Sequence, residues 1–284
     1  MRDSKNRVET DQRPQFRLAY FDTSSWDDLA KDPYREHFIR FIQQEKLKVM
    51  ASVISVGEVL RTPDLDQRRL TCSTMSALHG DGPLLDRPLD LAGAAAQAIL
   101  QGDRDFLLPR SGPSESLRSY MSDLTAPPTA EIRDWLCNMN GNVERFIEEI
   151  TPDQRDAITN YLSPEILGRE DFLRLLCQLP LAKELGISAS QIRDICQKSD
   201  IWKALRATLA CMIRLSTTHA PKNKKGRKRP GGADLWQAVY LGLVEMFVTS
   251  DDWMLEAIAG VAALLPYPRR TMHTRDFLRE LTCR

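Results

Sequence analysis

Four acidic residues stand in settings from which carboxylates could converge on a metal ion. Asp22 ends the apolar run Leu18, Ala19, Tyr20, Phe21 and is followed by Thr23, Ser24 and Ser25. Glu58 lies beyond the β-branched run Val53, Ile54, Val56, on the way from a strand into a helix. Asp234 opens an amphipathic stretch that holds Leu235, Trp236, Val239, Tyr240 and Leu241. Asp251 closes Met246, Phe247, Val248, Thr249, Ser250, and Asp252 stands beside it. If the strands ending in Asp22 and Asp251 are parallel neighbours, their carboxyl ends share the crevice where open α/β sheets bind ligands. Carboxylates gathered there repel one another unless a cation joins them. Hard oxygen ligands select Mg²⁺ or Mn²⁺.

Such a crevice requires a parallel sheet, and the pattern along the chain supplies one. Residues 16–22 read as a buried strand, 26–46 as helix interrupted at Pro33, and 49–54 as a β-branched strand. A helix carrying Glu58 breaks near Pro63, and another runs over 65–79. Leu84 and Leu85 suggest a short strand, and 89–101 an Ala-rich helix. This β-α alternation predicts α/β architecture with a parallel sheet. From 102 to about 220 only helical periodicity remains, with candidates at 114–124, 129–150, 152–162, 164–179 and 189–217. Thr151 before Pro152 and Ser163 before Pro164 are start signals. The α/β pattern then returns: a helix from 234, a strand at 246–249, a helix over 253–265, a strand at 270–274 and a helix over 274–281. The expected organisation is a disordered 1–15, an α/β core made of 16–101 and 229–284, and an all-α insertion at 102–228 ending in a basic loop.

Composition narrows the function classes. The 39 basic and 39 acidic residues cancel, so net charge makes no case for nucleic-acid binding. The local run Lys222, Lys224, Lys225, Arg227, Lys228 and Arg229 does, as a phosphate-gripping arm beside Asp234. A solvated loop and a nuclear-import tag are the other readings of that run. Six cysteines without a Cys-x-x-Cys pair and four isolated histidines argue against structural zinc and for reduced thiols in a cytoplasmic setting. No signal peptide or membrane span is expected. Phosphate-loop and dinucleotide fingerprints are absent. Trp135, Trp202 and Trp236 read as core residues. Trp26 is a candidate for the rim of the cleft, and the histidines for surface or capping roles.

The motifs around Tyr20, Phe21, Asp22, Thr23 and Ser24, around Ser52 to Glu58, at Ala233 and Asp234, and over Phe247 to Asp251 together resemble the PIN-domain nuclease family. They occur in family order and span residues 16–101 and 229–284. The resemblance implies a three-layer core with Mg²⁺- or Mn²⁺-dependent hydrolysis of phosphodiester bonds, RNA ahead of DNA, as in toxin-type and defence-type ribonucleases. It assigns Asp22, Asp234 and Asp251 as metal ligands, with Asp252 as an additional ligand. Glu58 would hold a second metal or orient water. Thr23, Ser24 and Thr249 would hydrogen-bond the carboxylates. A homodimer is implied by the family alone. The helical insertion would cover the cleft, select substrate, or dock a partner or inhibitor. A catalytically silent binding module is the alternative from another class.

Overall fold

A computed structural model of the chain describes residues 18–80, 83–102, 149–159, 163–217 and 235–282. Strand β1, Leu18–Phe21, is apolar throughout, as a strand covered on both faces must be. It pairs in parallel with β2, Lys48–Met50, on one side and with β3, Met246–Thr249, on the other. β4, Arg270–His273, extends the sheet from β3, giving the all-parallel order β2-β1-β3-β4. Leu85 adds a single parallel bridge to Ser52 beyond β2. The sequence reading of β2 runs too far: the strand stops at Met50 because the Ser52 hydroxyl caps a helix, accepting from Ser55 N at 3.1 Å.

Alternate residues of the strands feed two cores, as a period of two requires. Ala19, Phe21, Val49 and Val248 face α1 (Thr23–Lys31), α2 (Arg35–Gln44), α3 (Val53–Leu60), α4 (Leu65–His79) and the terminal α12 (Thr274–Thr282), which contribute Trp26, Ile42, Val56, Met75 and Phe277. Tyr20, Met50 and Phe247 face the other core, built from α5 (Pro88–Leu100), α10 (Asp200–Thr217), α11 (Asp252–Ala263) and a 3₁₀ segment, Trp236–Gly242. Trp202 of α10 is fully buried there, and its indole Nε1 donates to the Ala92 carbonyl at 2.7 Å. Truncating it to alanine would cost about 3–5 kcal/mol.

The helical stretch before α10 is more broken than periodicity suggests. Among the described residues it comprises α6 (Pro152–Thr159), a 3₁₀ turn (Ile166–Gly168), α7 (Glu170–Leu176), α8 (Pro180–Glu184) and α9 (Ala189–Lys198). The helix expected over 189–217 is split at Ser199, whose hydroxyl accepts from Trp202 N at 3.3 Å and so starts α10 afresh. The segment after Asp234 is not amphipathic: residues 236–241 are all buried. It lies so close to α10 that a Cβ on Gly242 would sit 2.6 Å from Ile201 Cα and 2.7 Å from the Asp200 carbonyl oxygen. Helix candidates 114–124 and most of 129–150, the basic run 222–229, and Asp234 itself lie outside the described residues. No described helix is long and apolar enough to cross a membrane.

Candidate active site

The chain leaves β1 toward β2 on one side and reaches β3 on the other only after some two hundred residues, so the order of strands reverses between β1 and β3. The carboxyl ends of these two strands flank the place where open α/β sheets hold ligands. Asp22 stands there. Its amide still bonds β3 through the Val248 carbonyl at 3.2 Å, and its carboxylate caps α1, Oδ1 accepting from Ser25 N at 2.9 Å.

Asp22 is 6% exposed and held by three hydroxyls. Ser25 Oγ donates to Oδ1 at 2.8 Å, Thr249 Oγ1 to Oδ2 at 2.7 Å, and Ser24 Oγ lies 2.8 and 2.9 Å from the two oxygens. Burial pushes its pKa above the ordinary carboxylate value, against the donors from Thr249, Ser25 and Ser24. Among the described residues no cationic side chain forms an ion pair with it. The fold thus desolvates and orients this carboxyl group, with no side-chain counterion among the described residues.

Glu58 lies in the second turn of α3, half-buried, rather than at the strand-to-helix turn. Thr23 Oγ1 donates to its Oε2, which joins it to the residue next to Asp22. Asp251 has a different environment. It is exposed and caps α11, accepting from Met254 N at 3.0 Å, while its own amide donates to Thr249 Oγ1 at 3.1 Å. The side chain of Asp252 is 96% exposed and lies 3.9 Å from His273 Nε2. Among the described residues, no three His, Cys, Asp or Glu side chains come together closely enough to hold a metal ion. The structure therefore brings Asp22, Thr23, Ser24, Glu58 and Thr249 into one connected group. It places the Asp251 carboxylate on its own helix.

Several contributors escaped the sequence reading. Ser25 was noted only as a neighbour of Asp22. Thr274, the first residue of α12, donates to Ser25 Oγ at 2.9 Å and receives Ser250 Oγ at 2.7 Å. His273 Nε2 meets the Ser250 carbonyl at 3.1 Å and its Nδ1 accepts from Arg275 N, a capping role as expected. His79, by contrast, is buried, with Nδ1 accepting from Ala51 N at 3.2 Å. Trp26 does not line the cleft: it is fully buried against Phe21, ring centroids 5.1 Å apart. Asp86, directly after Leu85, is 6% exposed, and burial, then the charge of Asp90, pushes its pKa up to about 6 against Arg87. Burial raises the Cys72 and Cys196 thiols to about 11 and the Cys211 thiol to about 12, so these sulfurs are inert core groups.

No protein-family model, curated protein or solved structure matches the chain.

Proposed function

We propose that the chain is a PIN-like, divalent-metal-dependent endonuclease, acting on RNA ahead of DNA. The supporting observation is Asp22: a buried carboxylate with no side-chain counterion among the described residues, at the carboxyl end of β1, oriented by hydroxyls of α1 and β3. Its oxygens and that of Glu58 are the hard donors Mg²⁺ or Mn²⁺ takes. Asp234, next to buried Leu235 in the chain, completes the acidic set of the resemblance.

A divalent ion, when bound, lowers the pKa of its water and offsets charge on phosphoryl oxygens. The protein's own residues do the positioning. Thr249 and Ser25 fix the two Asp22 oxygens, Ser24 spans both, and Thr23 turns Glu58 toward the same end of the sheet. A catalytically silent binding module of the same fold draws its support from Asp251, whose carboxylate faces its own helix. Cleavage of end-labelled RNA and DNA with Mg²⁺, Mn²⁺ or EDTA separates the two. Metal-dependent cleavage lost in Asp22→Asn and Asp234→Asn is the expected result. Activity surviving both substitutions contradicts the site, and absence of cleavage with every substrate and metal supports the silent module.

A further inference from the structure

Beneath the acids lies a buried polar junction that the proposed chemistry has not used. Tyr20 is fully buried, yet its phenol oxygen has three side-chain partners. It donates to Gln237 Oε1 at 2.7 Å and lies 2.9 Å from both Ser52 Oγ and Ser55 Oγ. With its one proton on Gln237, the phenol can only accept from the serines, whose hydroxyls also lie 3.0 Å from each other. The ring is locked by Tyr240 and Phe247, with centroids at 4.6 and 5.1 Å.

The junction ties together three elements: β1, α3 with its cap, and the 3₁₀ segment. Tyr20 is two residues before Asp22 on β1, and Ser55 is one helical turn before Glu58 on α3. Gln237 belongs to the 3₁₀ segment that follows Asp234 in the chain. Burial keeps the phenol protonated, against the hydrogen bonds from Ser52 and Ser55. A 3₁₀ run of seven residues is longer than such segments usually are and needs tertiary support, which the Gln237 bond supplies.

Resting on the metal-dependent reading above, we infer that Tyr20 is a positioning residue: its hydroxyl sets the register of β1 against α3 and the 236–242 segment, and so holds Asp22 and Glu58 at the separation a shared ion requires. The phenol touches no substrate and acts through the carboxylates. Residues behind a metal's ligands typically change affinity or activity about 10–100-fold when removed.

The test is Mn²⁺ affinity by titration calorimetry, with thermal melting and steady-state cleavage of an oligonucleotide, for wild type, Tyr20→Phe, Ser55→Ala and Gln237→Met. Tyr20→Phe is expected to weaken Mn²⁺ binding about tenfold or more and to lower kcat with little change in KM. Ser55→Ala and Gln237→Met, which each remove one partner and leave the ring in place, fall between it and wild type and decide the matter if Tyr20→Phe does not fold. Ile258→Val, in the same core but outside the hydrogen-bonded set of the junction, is expected to lower the melting temperature and leave Mn²⁺ affinity alone. Wild-type Mn²⁺ affinity in the folded junction variants overturns the inference while sparing the metal site. A wild-type protein that binds no Mn²⁺ overturns the metal reading and this inference with it.

Discussion

The ends of β1 and β3 are neighbours, each closes on an aspartate, and each aspartate caps the helix that follows. Asp22 is buried, has hydroxyl donors from α1 and β3 and is pushed toward protonation by its surroundings. Asp251 is exposed, and the bond that its carboxylate makes is to the first turn of α11. The same local grammar of strand, acid and helix therefore yields two electrostatic states. The difference is burial. A carboxylate kept from water costs free energy unless a cation joins it, and among the described residues no side chain supplies one to Asp22, which suits the site to a cation from solution. The cap on α11 needs only an oxygen.

Substitution at these two positions gives the largest contrast. Asp22→Asn is expected to reduce metal-dependent cleavage on the order of a thousandfold, equivalent to about 4 kcal/mol of transition-state stabilisation. It should fold well. The amide oxygen can still accept from Ser25, and the amide NH₂ can donate to Thr249 Oγ1 once that hydroxyl rotates. Equal activity of Asp22→Asn and wild type would erase the distinction between the two strand ends.

The next effect comes from the hydroxyls. Ser25→Ala and Thr249→Val each remove a donor from Asp22 and are expected to lower activity about 10–100-fold. They should also raise the Asp22 pKa further, since those donors favour its charged form. A pH–rate profile reads this as an acid limb displaced to higher pH.

Much of this site was legible because its signals are local. A short apolar strand, an acid and a Ser/Thr cluster can be seen in eight residues around Asp22. Strand β3 and helix α4 fall where pattern and capping residues put them, at Met246–Thr249 and Leu65–His79. What the sequence hid depends on partners far away in the chain. Tyr20 looked like one more apolar strand residue, and its hydrogen-bond acceptor is 217 positions on. The stretch after Asp234 reads as amphipathic, whereas residues 236–241 are all buried and Gln237 accepts from Tyr20. The break at Ser199 was invisible to periodicity, because a serine hydroxyl can restart a helix without disturbing the apolar spacing around it.

Stability sharpens the comparison from the other side. Asp251→Ala removes the α11 cap and is expected to cost about 1 kcal/mol, whereas Asp251→Asn keeps a capping oxygen and should be nearly neutral. Activity in Asp251→Asn then reports the role of charge alone, with a smaller loss expected than for Asp22→Asn. Equal losses would mean that the exposed carboxylate shares the metal chemistry fully.

The smallest effect is in pH dependence. The folded state raises the Asp22 pKa, so the protonated form is the one favoured by folding. That contribution is present below the unfolded carboxylate pKa of about 3.9 and is lost as pH rises through the folded value. Asp86, pushed up to about 6, acts with the same sign over its own window. In EDTA, the melting temperature of Asp22→Asn minus that of wild type should grow from pH 4 to pH 7, because only wild type carries the Asp22 penalty. Added Mn²⁺ should shrink that gap at pH 7. A flat difference would mean that burial of Asp22 has no energetic consequence.

The most direct test is Mn²⁺ titration into the wild-type and Asp22→Asn proteins at pH 7, followed by calorimetry. Saturable binding by wild type, lost or weakened at least tenfold in Asp22→Asn, is the outcome predicted for a carboxylate that binds a divalent metal ion. The same isotherm for both proteins would contradict it.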